Sequence, residues 1–169
     1  KQEKKAIAFL EAALIDNPKS DQLNLHYARA LIAVKDYLAA EKKLSQLIAI
    51  APNNPETQLM HALLAYDNKH DEAAIPSLNR LIALQSHEEE AYYYLAMIAK
   101  RQDKLDDTEK YLSQINEGDR YLSAQIELAT LRIKSDRLSQ ARQQLTESRQ
   151  QHPELASTLY AVEIELLNN

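Results

Sequence analysis

His26, His61, His70, His87 and His152 are the side chains with the widest chemical repertoire in this chain. A zinc protease site would need two of them one helical turn apart with a glutamate after the first, and no H-E-x-x-H pair occurs. His87 precedes Glu88, Glu89 and Glu90, a grouping that could hold a metal or exchange protons. The same stretch reads as a capping box, Ser86-x-x-Glu89, with its carboxylates against the positive end of a helix dipole. That reading accounts for the whole acidic run. The carboxylates between Asp103 and Glu109 cross a predicted helix–helix turn and serve as solvated turn and helix-start charges. With no cysteine there is no thiolate chemistry, and no Ser/His/Asp arrangement can be drawn from the order of residues. The expectation is a non-enzyme with no catalytic residue, no metal ligand and no cofactor.

The elements that carry these residues are helical. Ala, Leu, Gln, Glu and Lys fill long apolar-periodic stretches, and Gly118 is the single glycine. Tight αL turns, phosphate-cradling loops and dinucleotide fingerprints all draw on glycine, and its scarcity excludes most nucleotide-binding architectures. A formal charge of −5 argues against a nucleic-acid surface, and no apolar run nears the roughly 20 residues of a membrane span. The chain opens on Lys1 without a signal-like segment and reads as a piece of a longer protein, so any anchor, leader or catalytic domain would lie elsewhere.

The chain repeats itself with a period of 34. Aligned on their turns, the units are 21–54, 55–88, 89–121 (one residue short) and 122–155. Residues 1–20 form the second helix of a partial unit, and 156–169 the first helix of a further unit or cap, all within a single repeat domain spanning 1–169. Position 8 holds Ala28, Ala62, Ala96 and Ala129; position 20 holds Ala6, Ala40, Ala74, Thr108 and Ala141. Position 24 is Leu10, Leu44, Leu78, Leu112 and Leu145, and position 32 is Pro18, Pro52, Ser86 and Pro153. Small residues let paired helices approach, leucine fills the seam, and proline stops the second helix. Glu163 occupies the small-residue position of the last helix, which either lacks a partner or presents a polar cap. Asn54-Pro55 reads as N-cap plus N1 proline, and Asp36 and Asp71 as caps of second helices. Pro76, inside a second helix, predicts a bend or a loosened first turn. His61, at a core position, is expected to be at least half buried and neutral. Its replacement by leucine should be neutral or stabilising if no strong hydrogen bond is lost.

In-register copies of A-x-x-x-L over essentially the whole chain resemble the tetratricopeptide repeat family, which implies an all-α, right-handed α–α superhelix of helix-turn-helix repeats. In that family, positions 2, 5, 9, 12 and 13 of the first helices face a partner-binding groove. Position 5 is then Leu25, Leu59, Tyr93, Ile126 and Tyr160. Position 9 is Arg29, Leu63, Met97, Thr130 and Ile164, and position 12 is Ile32, Tyr66, Lys100, Ile133 and Leu167. This face is largely apolar, as binding surfaces are. Tyr93 is the expected anchor, with no seam role and so little effect on stability, and Lys100 with Arg101 would favour an acidic flank on the ligand. The family's carboxylate clamp is absent, since its positions hold Gln22, Leu25, His26 and Arg29, then Glu56, Leu59, Met60 and Leu63.

Gly118-Asp119-Arg120-Tyr121-Leu122-Ser123-Ala124-Gln125 is similar to a segment of proteobacterial tetratricopeptide adaptors attached to the outer membrane. A periplasmic or membrane-attached setting and a cytoplasmic one both fit the composition. The resemblance implies a scaffold or adaptor that holds another protein or a peptide segment in an apolar concave groove. Self-association as a homo-oligomer, and service as the regulatory domain of a larger enzyme, are the alternative functions.

Overall fold

The computed structural model describes residues 2–168, and among them the regular structure is helical throughout. The chain falls into two compact units that meet in sequence at His87 and Glu88. The first contains α1 (Gln2–Asp16), α2 (Asp21–Ala33), α3 (Tyr37–Ile50), α4 (Pro55–Asp67) and α5 (Asp71–Ala83). The second contains α6 (Glu88–Arg101), α7 (Leu105–Leu112), α8 (Tyr121–Lys134), α9 (Leu138–Gln151) and α10 (Ala156–Asn168), with a 3-10 turn at Pro153–Leu155 before α10. No described helix is long and apolar enough to cross a membrane.

Small residues make the helix pairs close. Ala28, Ala40 and Leu44 are fully buried in the first pair, as are Ala62, Ala74 and Leu78 in the next. In the second unit Ala96, Thr108 and Leu112 repeat the arrangement, followed by Ala129, Ala141 and Leu145. Thr108 fits the alanine position because its hydroxyl donates back to the Lys104 carbonyl at 2.8 Å, leaving its methyl for the seam. The outermost helices differ. Ala6 is exposed and Leu10 only half-buried, and Glu163 turns toward α9, where Arg142 (3.1 Å) and Arg149 (2.7 Å) hold its carboxylate.

Every intra-pair turn solves the shortage of glycine in the same way. Lys35, Lys69, Asp103 and Asp136, all at position 15 of their units, adopt left-handed backbone with φ between 58° and 63°. Each lets the next residue's N–H reach back across the helix end: Asp36 to Leu31, His70 to Ala65, Lys104 to Ala99 and Arg137 to Arg132, at 2.8–2.9 Å. These are Schellman closures, for which glycine is the usual residue. Left-handed turns are thus present without glycine, carried by lysine and aspartate. The repeated geometry overrides a per-residue strain of about 1–2 kcal/mol.

Helix starts follow the sequence at Asp36 and Asn54, whose side chains accept from the N–H groups of Ala39 and Thr57, and Ser20 caps α2 in the same way through Leu23. Two expectations fail. Asp71 is the first residue of α5 and His70 occupies the cap without a side-chain bond. The Ser86–Glu89 capping box does not form, because α6 begins at Glu88 and His87 has φ 52°. The Glu89 carboxylate instead accepts from the Arg120 N–H at the start of α8 (3.2 Å). It occupies the space a Cβ on Gly118 would take, so the one glycine is required for close approach as well as for its φ of 83°. Pro76 does not break α5, which runs unbroken from Asp71 to Ala83. Its first turn is tightened, with the His70 carbonyl accepting from both Ala73 and Ala74, but the proline-free α9 starts the same way at Arg137. Lying early in the helix, Pro76 forfeits one bond with no visible break.

Candidate partner-binding surfaces

In the first unit the predicted inner-face residues divide sharply. Leu25 is only 7% exposed and belongs to the core cluster with Ala28, Leu31, Ala40, Leu44, Leu47 and Leu64, so it offers a partner almost nothing. Arg29 is exposed, but its guanidinium is paired with Glu56 on α4. Leu59, Leu63 and Tyr66 are half-buried. Leu63 opens onto a cavity of 490 Å³ shared with Ile32, Tyr37, Met60, Leu64, Asp67 and Asn68. Its apolar wall comes from the last turn of α2 and the second half of α4, and Tyr37 closes it from the start of α3. First-helix spacing points to Ile32, Leu63 and the position-13 residue Asp67. It could not reveal Tyr37, which arrives from a second helix.

The second unit has its own face. Tyr93 and Met97 are half-buried against Ala96, Leu112, Ile115, Ala124 and Leu128. The Tyr93 ring meets Tyr94 edge-on at 5.6 Å, and the Arg120 guanidinium lies 5.1 Å from the Tyr93 centroid and 5.3 Å from that of Tyr94. Arg120 also donates to the Tyr94 hydroxyl at 3.0 Å. Tyr93 is thus part of the fold as well as part of its surface, which corrects the expectation that it carries no structural load. Lys100 is ion-paired to Glu127, so its charge is not free to set an acidic flank. Arg101 is exposed, and Ile126, Thr130 and Ile133 are half-buried. The Thr130 hydroxyl is spent on the Ile126 carbonyl at 2.8 Å. Ile133 packs on the cluster of Ala129, Ala141, Leu145 and Leu159. The Leu167 side chain lies outside the described residues. A polar depression of 260 Å³ between α8 and α9 is lined by Arg132, Gln140, Gln143, Gln144 and Glu147. Its charged groups are already engaged by hydrogen bonds: Arg132 binds Glu109 at 2.8 Å and Glu147 accepts from the Gln143 amide.

Position 4 was missed in the sequence. Asn24 and Gln58 are buried there and donate to the carbonyls of Pro18 (3.0 Å) and Pro52 (2.8 Å). Each amide ties the start of a repeat to the proline stop before it. The signal was an amide six residues after a proline, visible only once its carbonyl needs a donor.

His61 is 7% exposed on α4, between Ser45 of α3 and Ser77 of α5. The Ser45 hydroxyl donates to the Glu41 carbonyl (2.9 Å), so it must accept from the imidazole Nε2–H (3.2 Å). Nδ1 is then the acceptor and Ser77 Oγ the donor, at 2.9 Å. Burial lowers the imidazole pKa from its ordinary value, partly countered by the Glu41 charge. A neutral histidine bridging three helices is a structural element. Glu109 behaves differently: burial pushes its carboxyl up, but Arg137 (2.7 Å) and Arg132 (2.8 Å) together outweigh that and hold it below the usual range. Among the described residues no cluster of three metal-ligating side chains forms.

Paired helices closed on alanine and leucine, with an apolar recess on the first-helix side, define a repeat-type interaction scaffold. Residues 1–65 match the family model described as Tetratricopeptide repeat. The helix pairs beyond them keep the same packing positions, with Ala96, Thr108 and Leu112, then Ala129, Ala141 and Leu145, buried as in the matched part. No curated protein sequence matches it. Among solved structures it is similar to a crystal structure of MamA, with TM-score 0.77, 16% identity, and coverage of 92% of this chain and 91% of that one. It is also similar to MamA 41-end from Desulfovibrio magneticus RS-1, with TM-score 0.74, 16% identity, and coverage of 90% and 86%. At such identities the likeness concerns the fold, an all-α tetratricopeptide solenoid.

Proposed function

We propose that this protein is a non-catalytic adaptor that holds a segment of a partner protein on the first-helix side of its repeats. The cavity around Leu63 carries this reading. It is concave, its floor is apolar, and its 490 Å³ falls in the range of binding pockets rather than packing defects. Three of its lining residues, Ile32, Leu63 and Asp67, occupy groove positions of the repeat frame. Tyr93, Met97 and Ile126 supply a second apolar face in the other unit, with the Tyr93 ring as anchor. A photo-crosslinking side chain placed at Leu63 should give a discrete adduct in producing cells, whereas one at exposed Gln46 on α3 should not. No adduct at Leu63, or the same adducts at both sites, would count against the groove.

Self-association is a second reading with its own observation. Leu38 and Ile50 on α3 are 81% and 76% exposed, large apolar side chains that a second copy could cover. Mass measured by light scattering over a wide concentration range decides between them. A monomer throughout removes this second reading.

A further inference from the structure

The rim of the Leu63 cavity carries one carboxylate. Asp67 is the last residue of α4, it is exposed, and among the described residues it makes no ion pair. That is an unfavourable place for an acid, because the C-terminal end of a helix is the negative end of its dipole. Ile32, one residue from the end of α2, brings a second helix C-terminus to the same recess. The start of α3 at Tyr37 sets a positive helix end against that of α2, which leaves the Asp67 carboxylate at the negative end of α4 as the uncompensated charge above an apolar floor of Ile32, Met60, Leu63 and Leu64. Lys35 and Lys69 follow the two helices, but both are exposed and neither lines the cavity. The neighbouring acid Glu41 is already taken up by His70 (3.0 Å) and by Asn68 (3.5 Å), which leaves Asp67 alone to meet a ligand.

We infer that the occupant is a partner-protein segment that inserts one large aliphatic or aromatic side chain beside a lysine or arginine, with the cation placed on Asp67. The inference rests on the groove reading above and adds the charge of the ligand. It opposes the acidic flank expected from Lys100, which is neutralised by Glu127. The apolar side chain provides most of the attraction by leaving water, and the ion pair selects among segments that could all fill the floor. A small molecule is less well matched, because besides the Tyr37 phenol the recess offers it one carboxylate and one amide already engaged, too few groups to fix its orientation.

The probe is a soluble library of ten-residue peptides with a fixed central leucine and random flanks, passed over the immobilised full chain. The wild-type protein should retain peptides enriched in Lys and Arg next to the leucine. The enrichment should reach about fivefold, the scale of an exposed ion pair, and shrink at 0.5 M salt as screening shortens to roughly 4 Å. Asp67→Asn should erase the preference, and Asp67→Lys should replace it with Asp and Glu. Because Asp67 is exposed and unpaired, both variants should keep the wild-type helical circular dichroism. An unchanged Lys and Arg preference in Asp67→Lys would overturn this inference and leave the groove standing. Retention by the wild type no better than by Leu63→Glu, with that variant folded, would overturn the groove reading itself.

Discussion

Replacing His61 by leucine tests whether this interior histidine is a tolerated polar residue or a necessary bridge. Leucine fills the same space and removes the desolvation cost of an imidazole, which on burial alone favours the variant. What it cannot do is accept from the Ser77 hydroxyl, which is 3% exposed and donates to Nδ1 at 2.9 Å. Leaving that donor without a partner costs about 1–3 kcal/mol. The bond to Ser45 is worth less, because Ser45 is exposed and keeps its Glu41 acceptor. Setting roughly 1 kcal/mol of added apolar burial against the orphaned hydroxyl leaves a net loss of up to about 2 kcal/mol. The sequence-based expectation of a neutral or stabilising change is thereby reversed, through its own condition about hydrogen bonds. Ser77→Ala in the leucine background should recover most of the loss, since replacing both partners by apolar groups removes the orphan. Urea denaturation of the wild type, both single variants and the double variant supplies the cycle. Acid gives an independent readout. With its folded pKa held below 6.5, His61 takes up a proton in the unfolded chain first, so stability falls as the pH drops below about 6.5. Glu41 and His70 lie nearby, so only the part of that slope abolished by His61→Leu belongs to His61. A leucine variant as stable as the wild type, with the same acid slope, would refute the bridge.

Tyr93→Ala should cost about 2 kcal/mol in partner affinity by calorimetry. It should also lower the urea midpoint measurably, because the ring packs on the Ala96–Leu112 cluster and under Arg120. A wild-type midpoint would show that the ring serves binding alone. Gly118→Ala should destabilise by about 2 kcal/mol or more, since it must hold a left-handed φ and displace the Glu89 carboxylate that caps α8. Thermal unfolding unchanged by this substitution would mean that the turn relaxes freely. Lys69→Gly should raise the melting temperature by the equivalent of about 0.5–1 kcal/mol, because glycine holds φ 62° without strain. A fall in melting temperature would mean that the lysine stem contributes packing that outweighs its strain.

The repeat frame was legible in the chain because its causes are local or periodic. Alanine at positions 8 and 20 and leucine at 24 are dictated by how closely two helices can approach, and proline at 32 by a missing N–H. Asn54 and Asp36 cap their helices through bonds that span three residues, so nearest neighbours suffice to place them. Tertiary structure decided everything that depends on a partner far along the chain. Glu89 satisfies the start of α8 and not its own helix, because Gly118 leaves room for it. Leu25 is drawn into the core while Leu63, four positions further along its own repeat, borders a cavity. Tyr37 reaches that cavity from a second helix, and Arg29 and Lys100 are neutralised by glutamates on neighbouring first helices. Periodicity states which face of a helix a residue occupies. Whether that face is covered, paired or left open is set by groups brought together only when the helices pack, and no local pattern carries that information.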